Sequence, residues 1–160
     1  MNWEPLYLMQ RRLDQYIENQ HQLQKGEKVE EKILALLVEV GELANETRCF
    51  KFWSTKGPSE KQVILEEYVD GVHFLLSLGI DLEFMYHSEH TEAYDSQTDA
   101  FLSIYKSIEQ FRLYKNEETY MALFHEYLQL GLTLGLTEGE LIKAYEDKNQ
   151  VNFKRQDEGY

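Results

Sequence analysis

Val69-Asp70-Gly71-Val72-His73-Phe74-Leu75-Leu76-Ser77-Leu78 is the stretch that decides the fold. Wound as a helix it is apolar on nearly every side, which predicts a central, buried segment rather than a surface one. Upstream, Ser59 with Gln62 three residues later reads as a capping box that starts this helix, and Gly79 reads as its end.

The same helical spacing extends outward in both directions. Val29, Ile33, Leu36, Leu37, Val40, Leu43 and Ala44 form the apolar stripe of a preceding helix that runs to about Thr47. Leu6, Met9, Leu13, Tyr16 and Ile17 share a face of a first helix, started by Pro5 and ended by Gly26. After the central helix, a polar stretch from His87 to Ser96 reads as a loop. A fourth helix follows with Phe101, Ile104, Tyr105, Ile108 and Phe111 inward, then a fifth from Glu117 to Leu134. Thr137 and Glu140 form a capping box for a last helix carrying Leu141, Ile142 and Tyr145. The fold class is therefore all-α, a helical bundle, with residues 1–160 as one domain.

Composition narrows the function. A formal net charge of −13 repels nucleic acid and anionic lipid alike, so neither is an expected partner. The single cysteine, Cys49, permits no internal disulfide and no Cys-rich zinc site. The opening residues lack a secretory pattern and no stretch is apolar enough to span a membrane, so a soluble, cytoplasmic protein is expected. A small polyanionic substrate remains open to such a chain if metal ions and a local set of basic donors receive it.

Both features are present. Glu39, Glu42 and Glu46 fall at i, i+3 and i+7 on the second helix, and Glu67 and Asp70 at i and i+3 on the central one. No lysine or arginine stands at helical spacing to offset Glu39, Glu42, Glu67 or Asp70. Like charges so placed cost a helix about 0.2 to 0.5 kcal/mol per pair, and burial costs far more. A hard divalent cation such as Mg²⁺, which takes oxygen ligands and keeps exchangeable waters, compensates. The plainer alternative is a solvated acidic face. A di-iron bundle needs two Glu-x-x-His motifs, and only Glu18 to His21 has that form.

Near the end of the chain, Tyr145, Lys148, Asn152 and Arg155 align at i, i+3, i+7 and i+10. Their charged and amide donors suit phosphate oxygens, although cations also suit an ordinary helix C-terminus. Phe50-Lys51-Phe52-Trp53 is unusually aromatic for a linker. A base or sugar could stack on Trp53, or the aromatics could plug the bundle.

Taken as a set, Glu39-x-x-Glu42, Glu67-x-x-Asp70 and Lys148-Asn149-x-x-Asn152-x-x-Arg155-Gln156-x-x-Gly159-Tyr160 resembles the dimeric all-α dUTPases, within the MazG-like nucleoside-triphosphate pyrophosphatases. Phe50-Lys51-Phe52-Trp53, Asp70-Gly71-Val72-His73-Phe74 and Gln10-x-x-Leu13-Asp14 extend the likeness over nearly the whole chain, although the family often has Asn where Asp14 stands. The resemblance implies a dUTP diphosphatase with Glu39, Glu42, Glu67 and Asp70 as Mg²⁺ ligands. It implies Glu42 or Glu39 as the group that orients and deprotonates water. Lys148, Asn152 and Arg155 would hold phosphates, Tyr160 would close over the nucleotide, and Trp53 and Gln10 would meet its nucleoside end. A deoxyuridine nucleotide as substrate and a homodimer as assembly follow from the same resemblance. A dCTP or broader pyrophosphatase is the nearest alternative, and a non-catalytic helical interaction protein is the alternative of another class.

Overall fold

A computed structural model describes residues 1–87 and 90–160. Among them are six helices and no strand: α1 (Glu4–His21), α2 (Val29–Thr47), α3 (Lys61–Leu82), α4 (Gln97–Tyr114), α5 (Glu117–Thr133) and α6 (Glu138–Asp157). The all-α bundle expected from the spacing is what forms. No described helix is long and apolar enough to cross a membrane.

The α3 helix is the axis of the bundle, packed against α1, α2, α5 and α6, while α4 pairs with α5 and touches α2. Its burial is that expected of residues 69–78: Val69, Val72, Leu75, Leu76 and Leu78 are fully enclosed. Its two interior glycines are there for close approach. A Cβ on Gly71 would sit 2.0 Å from the Tyr127 hydroxyl, and one on Gly79 would sit 2.3 Å from that of Tyr120. Tyr68 and Tyr127 then lock α3 to α5 reciprocally. Each hydroxyl donates to the other's backbone carbonyl, at 2.9 and 2.6 Å, with the rings stacked 4.6 Å apart. Paired in this way, neither buried phenol is left unsatisfied.

The helix ends depart from the sequence expectations. Ser59 does not cap α3: its hydroxyl donates to the Glu46 carboxylate, and Glu60 occupies the cap without a side-chain bond. Gly79 does not end α3 either, which continues to Leu82, where Glu83 turns left-handed. Likewise α1 stops at Gln22 rather than at Gly26, with the Gln22 backbone N–H on the Glu18 carbonyl. The Thr137–Glu140 capping box of α6 forms as expected. Tyr105 is not inward: it is 36% exposed and reaches sideways, donating to the Leu37 carbonyl at 3.2 Å. Of the expected loop from His87 to Ser96, Ser88 and Glu89 lie outside the described residues, and the others form no helix.

Candidate active site

Where α2 and α3 run side by side, their acids meet. Oxygens of Glu39, Glu67 and Asp70 all lie within 4.8 Å of one another, a spacing that one cation spans. Glu42 joins the same group from one turn further along α2 and bears on both Glu39 and Glu67. Glu46, the third acid of the stripe, is drawn away to Ser59.

The electrostatics are those of a repulsive cage. Burial first, then the charges of Asp70, Glu42 and Glu67, hold the Glu39 carboxyl well above the usual carboxylate range. Glu67 is raised in the same direction, by burial and then by Asp70. Asp70 is raised by burial, against the opposing pull of Lys148 and Arg155. Among the described residues, one oxygen of Glu39 and one of Glu67 are buried without a hydrogen bond. Buried carboxylate oxygens without donors are costly, and a bound cation is what this donor set of hard oxygens would accept.

The expectation that Asp70 lacks a basic partner is corrected by tertiary structure. Lys148 of α6 places Nζ 3.1 Å from Asp70 Oδ1, each side chain about one-fifth exposed. Spacing along α3 alone could not reveal a partner supplied by another helix.

Beside the acids opens a cavity of about 390 Å³, within the usual range for small-ligand sites. Glu39 and Asp70 line it together with Lys148, Asn152, Arg155 and Tyr160. The stripe on α6 thus faces a common space with the acids. Arg155 lies over the Tyr160 ring, 4.6 Å from its centroid, so the last residue is tethered at the cavity mouth. Gln10 of α1 forms part of the wall, 3% exposed.

Of the expected site residues, Glu42 and Glu67 belong to the acid cluster without lining this cavity, and Trp53 belongs to neither. It stands on the α2–α3 connection, 66% exposed, edge-on to Phe52 and Phe50. The alternative in which these aromatics plug the bundle is overturned, since Phe52 is 92% and Phe50 41% exposed. Conversely, His73, Ser77 and Lys32 line the cavity, and nothing in the local spacing of Ser77 or Lys32 marks them. His73 carried one signal, its position one turn after Asp70 on a buried helix.

Fold and site define the class: an all-α hydrolase in which acids from two helices and bases from a third face one nucleotide-sized cavity. Within that class the chain belongs to the dUTPase family, whose model matches residues 2–160. It is accordingly a dUTP diphosphatase, splitting dUTP by water into dUMP and pyrophosphate. No curated protein matches the chain.

Proposed function

We propose that dUTP hydrolysis here depends on Mg²⁺, held by Glu39, Glu42, Glu67 and Asp70, with the phosphate chain received by Lys148, Asn152 and Arg155. The observation that carries this is the convergence of Glu39, Glu67 and Asp70 within 4.8 Å beside a basic wall. Mg²⁺ bound there would neutralise the acids and the phosphates and lower the pKa of a coordinated water. Glu39 and Glu42 are the chain's own candidates to orient that water and take its proton. The raised pKa of Glu39 suits a group that exchanges a proton near neutral pH.

Lys148 contributes a mobile point charge that can pass from Asp70 to a phosphate oxygen once the acids are otherwise balanced. Arg155 and Asn152 supply directional donors from the next turns of α6. Tyr160, backed by Arg155, closes over the nucleotide. Gln10, which lines the same cavity, is the candidate to meet the nucleoside, and the exposed Trp53 ring is available to stack on base or sugar.

The chain acts as one domain and, on this reading, as a homodimer in the cytoplasm. Leu34 and Val38 on α2, with Leu102 and Leu113 on α4, are each more than half exposed, an apolar surface that a second copy would cover. With a panel of dUTP, dTTP, dCTP and UTP, pyrophosphate should be released rapidly from dUTP alone and only with Mg²⁺. Equal turnover of all four, or undiminished turnover in chelator, would refute the reading.

A further inference from the structure

The two helices that carry the acids are each held by a tyrosine hydroxyl from the α4–α5 pair. On α3 the Tyr127 hydroxyl donates to the Tyr68 carbonyl at 2.6 Å, with Gly71 making room for it. On α2 the Tyr105 hydroxyl donates to the Leu37 carbonyl at 3.2 Å, and a Cβ on Gly41 would lie 3.2 Å from that hydroxyl. Both bonds fall at the acids' own turns. Glu67 precedes Tyr68 and Asp70 precedes Gly71, while Glu39 lies between Leu37 and Gly41, and Glu42 follows that glycine.

A third bond joins the two tyrosine-bearing helices. Ser103 Oγ donates to Glu126 Oε1 at 2.7 Å, two residues before Tyr105 on α4 and one before Tyr127 on α5. Directional bonds, linked by single turns of helix, therefore run from the Leu37 carbonyl of α2 through α4 and α5 to the Tyr68 carbonyl of α3 without passing through the acids. Apolar packing between helices is non-directional, whereas a hydrogen bond to a backbone carbonyl fixes the rotation and axial position of the turn that carries it. Like-charged carboxylates on α2 and α3 push the helices apart, and this frame opposes them.

We infer that Tyr105 is a positioning residue for Glu39 and Glu42: its bond to the Leu37 carbonyl holds the acid-bearing turn of α2 in register with the turn of α3 held by Tyr127. The consequence for the metal rests on the Mg²⁺ reading given above. Partners that bond a metal ligand directly are worth roughly 10–100-fold in metal affinity, so a bond to the ligands' own helix turn should count for less, about fivefold. Tyr105 is 36% exposed, so it acts through this bond more than through burial. Tyr120 supplies the comparison: fully buried, it donates to the Leu75 carbonyl at 2.8 Å, on α3 but beyond the acids.

Tyr105→Phe keeps the ring and removes only the hydroxyl. In the metal-free protein, amide hydrogen exchange at Gly41 and Glu42 should quicken at least about threefold, with Val69 and Asp70 of α3 unchanged. Its Tm should fall by no more than about 2 °C. Calorimetric titration of Mg²⁺ into protein saturated with a non-hydrolysable dUTP analogue should show the metal Kd raised at least about fivefold. Tyr120→Phe should do the reverse, lowering Tm by about 4 °C or more and leaving the metal Kd within about twofold. Unchanged exchange in α2 of Tyr105→Phe overturns the inference, as does a metal Kd unchanged in that variant or raised equally in Tyr120→Phe. Should Tyr120→Phe fail to fold, the exchange and titration of Tyr105→Phe still decide. Absence of Mg²⁺ binding in the wild type would instead sink the metal reading, while the exchange would still show whether Tyr105 holds the turn.

Discussion

Lys148 Nζ lies 3.1 Å from Asp70 Oδ1, so α6 supplies a lysine bonded to the acid cluster of α2 and α3. The pair is neither fully buried nor freely solvated, and it ties α6 to the acids. Lys148→Met should destabilise the metal-free protein by roughly 1–2 kcal/mol at pH 8, less than for a fully buried pair because solvent still screens it. It should also raise KM for dUTP at least tenfold by removing a phosphate donor. Denaturant melts and steady-state kinetics read the two effects separately.

Crowded acids make metal-free stability and metal affinity respond oppositely to charge removal. Glu39→Gln should stabilise the metal-free protein by about 1 kcal/mol at pH 8, a figure discounted because the side chain is only half-buried. The same change should lower dUTP turnover at least about 100-fold, since a ligand to the ion is lost. Because the carboxyls of Glu39 and Glu67 are held above their ordinary values, protons would compete with the proposed Mg²⁺ up through neutral pH. The Mg²⁺-induced rise in Tm should therefore be larger at pH 8 than at pH 5.5.

Asp14 gives a second pH dependence, away from the acid cluster. Burial pushes its pKa up from 3.8 to about 6, opposed by Lys32, Gln10 and Ser77. The folded state therefore holds this proton more tightly than the unfolded chain does. Its favourable contribution is present below pH 3.8 and is lost as pH rises through about 6. Asp14→Asn, which carries no such charge, should gain stability relative to the wild type between pH 4 and pH 7, by on the order of 2–3 kcal/mol. Urea unfolding at several pH values measures it, and parallel curves for the two proteins would contradict the assignment.

Gly71 tests the packing that holds the acids in place. An added methyl would meet the Tyr127 hydroxyl at 2.0 Å and disturb its bond to the Tyr68 carbonyl. Gly71→Ala should cost about 2–3 kcal/mol, the usual range for overpacking with a hydrogen bond also at stake. Because Asp70 is adjacent in sequence, Mg²⁺ affinity should fall as well. A melt unchanged from wild type would show that α3 and α5 are not locked in this way.

Trp53 and Trp3 separate cleanly by environment, 66% and 3% exposed. If a nucleoside stacks on Trp53, dUMP should quench the red-shifted emission of that exposed indole, and Trp53→Phe should abolish the change. An identical ligand-induced signal in Trp53→Phe would remove this residue from the site.

How much of this was legible in the sequence depended on whether the chemistry was local. The buried α3 and the Thr137–Glu140 box were readable because apolar spacing and a three-residue reciprocal cap need no other part of the chain. The ends of α1 and α3 were misplaced because Gln22 and Glu83 turn left-handed without being glycine, at φ 57° and 63°. Ser59 looked like a cap until folding placed Glu46 beside it. The acids were found as two spaced pairs, but the balance supplied by Lys148 required α6 to fold back across α3. His73, Ser77 and Lys32 were missed for the same reason, since their partners lie 63, 63 and 49 residues away.

The central claim is that acids from α2 and α3 bind one divalent site together. Calorimetric titration of Mg²⁺ into protein saturated with a non-hydrolysable dUTP analogue, at pH 8, tests it most directly. Saturable binding that falls at least tenfold in Glu67→Gln and equally in Glu39→Gln is the expected result. Binding that survives both substitutions unchanged, or no binding in the wild type, would contradict the account.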